Sequence, residues 1–174
     1  SPRVIAAGLC DKARAEIESM LAKGVIEPME QPTDWCYGLT IAPKANGGIR
    51  MCVDLTTLNK GVKRETYPLP RVSVMLATLS AGRVFSKLDA NSGFWQVKLH
   101  PESRRLTTFI TPWGRYCFKR MPFGISSAPE FFQRAMEKIL AGLPDVVCLM
   151  DDVLVFGRDE NEHWDRLHKG LERV

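Results

Sequence analysis

Apolar and polar positions fall into short blocks whose period changes from helical to alternating and back. Ala13, Ile17, Met20 and Leu21 recur at helical spacing, which predicts an amphipathic helix over 11–23, with Asp11 as its cap and Gly24 just past its end. Pro28 and Pro32 keep the following stretch extended. Residues 39–43 and 49–53 read as two strands joined by Ala45-Asn46-Gly47-Gly48, a hairpin signal. Residues 58–70 are basic and bounded by proline, which predicts a loop or linker between lobes. A short helix is expected over 72–79, then a strand over 84–88 that presents Asp89 at its end. The turn Ala90-Asn91-Ser92-Gly93 follows. Residues 94–99 alternate and read as strand, and 106–110 with 115–118 form a hairpin around Pro112-Trp113-Gly114. A helix then begins near Ser126 or Ser127, with Pro129 and Glu130 in its first turn. It runs through Phe131, Phe132, Ala135, Met136, Ile139 and Leu140 and stops at Gly142; a last helix covers 160–173.

Between those two helices lies the stretch around which the chain is organised. Val146-Val147-Cys148-Leu149-Met150 and Val153-Leu154-Val155-Phe156 flank Asp151-Asp152, two apolar runs about an acidic pair. The pattern predicts a hairpin of buried strands with both aspartates at the tight turn. Asp favours turns for local reasons, because its side chain can bond the nearby backbone. An isolated pair therefore reads as a hairpin tip, and Asp89 is what changes that reading. In a layout of strand, helices and hairpin, one sheet is covered by helices on one face, and the end of the Asp89 strand neighbours the hairpin tip. Three carboxylates then converge, and clustered negative charge requires compensation. Oxygen donors of this kind select hard divalent cations such as Mg²⁺, and a pair of such ions supports nucleotidyl transfer.

Composition narrows the setting. The 174 residues are 45% hydrophobic, enough for a real core, and no run of 18 apolar residues offers a membrane span. The first residues lack a signal-peptide layout. Five scattered cysteines with no Cys-x-x-Cys argue for reduced thiols in an intracellular setting, against a disulfide framework or structural zinc. His163 and His168 read as solvated surface. The net charge of +4 is unevenly spread: residues 60–120 carry 12 basic and 3 acidic side chains, and residues 121–174 carry 6 and 10. A basic middle beside an acidic last third suits a polyanion partner with a separate cation site. On charge alone, a merely solubilising surface stays open as the other reading.

Several motifs then carry a specific resemblance. Phe85-Ser86-Lys87-Leu88-Asp89-Ala90-Asn91-Ser92-Gly93-Phe94-Trp95-Gln96 resembles the first metal-binding motif of reverse transcriptases of gypsy-type LTR retrotransposons. Met121-Pro122-Phe123-Gly124-Ile125-Ser126-Ser127-Ala128-Pro129-Glu130-Phe131-Phe132-Gln133 is similar to their second motif, and Leu149-Met150-Asp151-Asp152 to their third. Arg50-Met51-Cys52-Val53-Asp54-Leu55 with Leu58-Asn59, and Tyr67-Pro68-Leu69-Pro70, resemble the fingers and their junction with the palm. The similarity runs from about Asp11 to the end, in the family's order.

The resemblance implies an α+β fold: a right-hand polymerase palm, an antiparallel sheet backed by helices, with a partial fingers lobe and no thumb. Residues 1–70 would form the N-terminal helix and part of the fingers, and 71–174 the palm, with fingers elements interleaved around 95–120. It implies an RNA-directed DNA polymerase that extends a primer with dNTPs on an RNA or DNA template. Asp89, Asp151 and Asp152, with the backbone of Ala90, would hold two Mg²⁺ ions, Mn²⁺ being able to substitute. Arg50 and Lys44 would meet the triphosphate, as cations suited to phosphate. Phe94 would lie under the incoming sugar and disfavour a 2′-hydroxyl; without the family it reads equally as a core aromatic. Phe123 and Gly124 would flank the nascent base pair, and Gln133 and Met150 would be template–primer positions, Gln133 on the helix surface. The remaining partners would be the rest of a polyprotein, namely thumb, RNase H and integrase. No membrane is involved, and the setting is cytoplasmic, in virus-like particles if the element is active.

Two departures stand out. Leu149 occupies a position where the family usually carries Tyr, or often His, and Thr56 one where many relatives are basic. An inactive or co-opted remnant that binds nucleic acid without turnover is the competing reading. A metal-dependent nuclease has suitable carboxylates but no evident general base. Retention of all three aspartates favours the polymerase.

Overall fold

The structure is a computed structural model that describes residues 5–44, 47–64 and 66–174. The chain divides into two compact units, Ser1–Lys63 with Phe94–Ala128, and Arg64–Gly93 with Pro129–Val174. Among the described residues no helix is long and apolar enough to cross a membrane.

The first unit is built on a five-stranded sheet. Helix α1 (Ala7–Ala22) buries Ala13, Ile17 and Met20, the stripe read from its periodicity. It starts four residues before the expected position, and Ala6 stands at its N-cap, so Asp11 lies inside the helix and caps nothing. The strands are β1 (Ile26–Pro28), β2 (Tyr37–Pro43), β3 (Ile49–Val53), β5 (Phe109–Thr111) and β6 (Gly114–Phe118), in the order β1-β6-β5-β2-β3. All neighbours are antiparallel except β2 and β5. The β2–β3 hairpin keeps the expected pairing from Leu39 with Val53 to Pro43 with Ile49; Ala45 and Asn46 of its expected turn lie outside the described residues. Ile17, Met20, Val25, Ile26, Tyr37, Leu39, Leu55, Phe109 and Phe118 form the core. Two short helices, α2 (Thr56–Asn59) and α4 (Pro101–Arg104), sit in stretches that lack a long apolar period.

One expected strand is absent. Residues 94–99 begin instead as a 3₁₀ turn, Gly93–Gln96, followed by a single bridge between Lys98 and Arg120. The physical reason is aromatic packing. Adjacent strand residues point to opposite faces, yet Phe94 and Trp95 both meet Phe123, with ring centroids 5.2 and 5.9 Å away. A tight turn brings both rings to one side. The next strand, expected from residue 106, likewise opens as a 3₁₀ turn, Arg105–Thr107, leaving β5 shorter than the alternation suggested.

The second unit carries a three-stranded antiparallel sheet in the order β4-β8-β7, with β4 Val84–Asp89, β7 Val146–Leu149 and β8 Asp152–Gly157. Helices α3 (Val72–Leu79), α5 (Ala128–Ile139) and α6 (Glu160–Leu171) complete it. The register gives the sheet two unlike faces. Cys148, Val153 and Val155 are buried on one face, where a Cβ added at Gly170 of α6 would come within 4.0 Å of Val155. Phe85, Lys87 and Asp89 are exposed on the other, opposite Phe156, Leu154 and Asp152. Helix α6 is started by Asp159, whose carboxylate accepts from the Glu162 N–H at 2.9 Å. His163, expected on the surface, is 6% exposed, because α6 packs its backbone against Gly157, where even a Cβ would come within 2.6 Å of the His163 nitrogen.

Candidate active site

The β7–β8 hairpin closes more tightly than the acidic pair suggests. Leu149 pairs with Asp152, so the two turn residues are Met150 and Asp151, and Asp152 is the first residue of β8. The turn therefore lies one residue earlier than expected. The reason is cross-strand: Asp152 also pairs with Asp89, which holds it in the ladder. Directly opposed residues share a face, so Asp89 and Asp152 stand side by side on the open face. Asp151 is exposed at the adjoining tip. The Ala90 N–H donates to the Asp151 carbonyl at 2.8 Å, tying the end of β4 to that tip.

Met150 has φ +54°, a left-handed conformation that costs a non-glycine residue about 1 kcal/mol. Its surroundings hold it there. The Met150 N–H donates to Gln133 Oε1 at 2.6 Å, and Gln133 Nε2 donates to the Cys148 carbonyl at 3.0 Å. The Cys148 thiol lies 3.3 Å from the Met150 carbonyl, and burial, with Glu137, Asp151 and Asp152 adding to it, pushes that thiol up to about 11. It stays protonated and donates. Gln133 is wholly buried, so it does not lie on the helix surface, the alternative to the template–primer role that the resemblance implies. It is an amide that grips the turn.

Lys87 completes the open face. Its ammonium lies 3.0 Å from Asp152 Oδ1. Its pKa is raised, first by the bond to Asp152 and by that carboxylate's charge, then by Asp89 and Asp151. A cation thus stands where the fields of all three carboxylates add. Among the described residues no group of three His, Cys, Asp or Glu side chains is close enough to hold a metal ion as it stands. Asp152 turns to Lys87 instead of closing on its neighbours. The donor set still fits a hard divalent ion, being carboxylate oxygen throughout, and its compensation by an ammonium shows its pull on positive charge. Strand parity alone places Lys87 on the face of Asp89, two residues away, so that signal is present in the sequence.

The other expected positions belong to the first unit. Lys44 and Arg50 are both exposed, Arg50 on β3 opposite Ala42. Phe94 is half-buried and packed on Phe123, which is itself 51% exposed. Gly124 has φ +95°, where side chains are strained. Asn59 fixes that loop: its Nδ2 donates to the Gly124 carbonyl and its Oδ1 accepts from the Ser126 N–H, both at 2.8 Å. No sequence signal beyond Asn59's place in a motif pointed to this role.

A mixed α+β chain with an open sheet face bearing two paired aspartates, and a third at a strained hairpin tip, defines a palm-type fold. The profile described as "Reverse transcriptase (RNA-dependent DNA polymerase)" matches residues 42–174. The chain belongs to the reverse transcriptase family. It is 35% identical over 157 residues to the retrovirus-related Pol polyprotein from transposon opus of Drosophila melanogaster, covering 87% of this chain and 16% of that protein. It is 36% identical over 151 residues to the enzymatic polyprotein of cauliflower mosaic virus (strain Strasbourg), covering 85% of this chain and 22% of the other. The chain therefore spans about a fifth of the curated relatives it matches. Among solved structures it resembles the native prototype foamy virus protease–reverse transcriptase, at 28% identity and a TM-score of 0.88 over 99% of this chain and 23% of that one. The foamy viral enzyme in complex with an RNA/DNA hybrid has the same fold, with a TM-score of 0.89 at 21% identity, over 99% of this chain and 23% of that one.

Proposed function

We propose that this chain is the fingers-and-palm core of an RNA-directed DNA polymerase from a gypsy-type LTR retrotransposon polyprotein, extending a primer with dNTPs on an RNA or DNA template. The observation that carries the reading is the pairing of Asp89 with Asp152 beside the Asp151 tip, on a sheet face open to substrate. Bound there by Asp89, Asp151 and Asp152, with the Ala90 carbonyl assisting, two Mg²⁺ ions (or Mn²⁺) would supply activation of the primer hydroxyl and stabilisation of the leaving pyrophosphate. Lys87 must release Asp152 for that, and the hairpin's bonded backbone keeps Asp151 in place meanwhile. Arg50, with Lys44, binds the triphosphate; Phe94 excludes the 2′-hydroxyl; Phe123 and Gly124 flank the nascent base pair. Met150 remains a primer-side position. The unit holding β2 and β3 is read as fingers and the unit holding β4, β7 and β8 as palm. The partners are template–primer, dNTPs and the remaining polyprotein domains (thumb, RNase H and integrase), and the setting is cytoplasmic, in virus-like particles if the element is active.

The test is Mg²⁺- or Mn²⁺-dependent dNTP incorporation on poly(rA)/oligo(dT), with Asp151→Asn alongside, on this chain and on a form extended toward the rest of the polyprotein. Incorporation that Asp151→Asn abolishes is expected. A folded extended form that binds duplex but incorporates nothing would instead mark a remnant without turnover.

A further inference from the structure

Beneath the hairpin runs a line of polar side chains that the proposed chemistry does not use. The Tyr67 hydroxyl donates to Glu137 Oε2, and Glu137 Oε1 accepts from Gln133 Nε2 at 2.8 Å. Gln133 then holds the Cys148 carbonyl and the Met150 N–H. Tyr67 lies in the proline-bounded segment before α3, whose Arg64 also pairs with Glu130 on α5. That segment is thus fastened along α5 at two places, each carboxylate one turn of helix from Gln133.

The chemistry of the line gives it a direction. A glutamine amide can rotate by half a turn and exchange its donor and acceptor ends. A carboxylate only accepts, so Glu137, like the Cys148 carbonyl, takes the Gln133 nitrogen and adds to the hold on that orientation. The oxygen then faces Met150, whose N–H needs an acceptor to keep its left-handed turn. Tyr67 occupies the other Glu137 oxygen and so fixes which way the carboxylate faces. From this geometry we infer that Tyr67 and Glu137 are positioning residues for the turn that carries Asp151, acting through Gln133. The inference rests on the catalytic reading only in giving that turn its purpose.

The test uses the 174-residue chain labelled with methyl-¹³C methionine, with the Met150 signal assigned by Met150→Leu, through a Mn²⁺ titration. Tyr67→Phe removes one oxygen and Glu137→Gln is isosteric, so each checks the other should one fail to fold. Both should move the Met150 methyl resonance and raise the Mn²⁺ concentration that half-broadens it by about threefold, the effect of one lost hydrogen bond. The Met20 and Met51 signals, in the first unit, should stay in place. If neither substitution moves the Met150 signal while Gln133→Ala does, the relay is overturned and Gln133 acts alone. If the wild-type chain shows no Mn²⁺ broadening, the catalytic reading fails, and the resonance shift alone still decides the relay.

Discussion

Two amides grip the main chain in this molecule, and they do so in opposite surroundings. Gln133 holds the Met150 N–H and the Cys148 carbonyl from a site with no solvent exposure. Asn59 holds the Gly124 carbonyl and the Ser126 N–H from a half-exposed position at the end of a four-residue helix. Both close a loop whose residue has positive φ, +54° at Met150 and +95° at Gly124. The difference lies in what happens when the amide is removed. Water can replace Asn59. It cannot readily reach the groups that Gln133 satisfies, and buried polar groups left without partners carry their full desolvation cost. The same device is therefore structural insurance in one unit and local shaping in the other.

The largest expected effect tests that contrast directly. Gln133→Ala should destabilise the protein by about 2–4 kcal/mol, since it opens a cavity and strands two backbone groups. Urea unfolding measures it. A cost no greater than that of Asn59→Ala would show that burial is not what separates the two amides.

Asn59→Ala comes next, at about 1 kcal/mol, because its partners become hydrated. Its sharper signature is kinetic, and follows from the proposed roles. Loosening Phe123 and Gly124 should raise the nucleotide KM several-fold with a smaller change in kcat, whereas any activity left in Gln133→Ala should be low in kcat. Steady-state incorporation at varied dNTP reads both. The same pattern in the two variants would place both amides on one side of the reaction and end the distinction.

The uneven legibility of the sequence follows the same line between local and non-local causes. The β3 strand and the α3 helix lie where propensity and period placed them, because their patterns are local. The β7–β8 hairpin was legible too, but not its turn, since the Asp89–Asp152 pairing that shifts it comes from a strand some sixty residues earlier. Phe94 and Trp95 alternated like a strand and became a 3₁₀ turn because Phe123 draws both rings. Gln133 looked like helix surface since a polar residue on an amphipathic helix usually is; only the hairpin backbone beside it makes burial affordable. The position of Lys87 was readable from strand parity, while its attachment to Asp152 was not.

The smallest effect asks whether the two units also differ in their dependence on charge. Among the described residues, the carboxylates held below their ordinary range are Glu130 and Glu162, both in the second unit. Glu162 is held at about 2, first by its bond with the Arg158 guanidinium, then by the Arg158 backbone N–H, with the charges of Arg158 and Arg166 adding. Arg166 also reaches Asp145 at 2.7 Å and the Phe156 carbonyl at 3.1 Å, linking α6 to β8 and to the approach to β7. A carboxylate with a depressed folded pKa favours the folded state above its unfolded value. That contribution is lost as pH falls from the ordinary 4.5 through about 2. Acid should therefore loosen the sheet of β4, β7 and β8 before the five-stranded sheet. Amide resonances followed by ¹⁵N NMR across that range would show second-unit signals moving first, and Glu162→Gln should shrink the interval between the units. Because Glu162 is fastened mainly to the surface residue Arg158, the interval should also narrow in high salt, where exposed pairs are screened. A simultaneous loss of both sheets, unchanged by Glu162→Gln, would mean that the charges on α6 decorate the second unit without holding it.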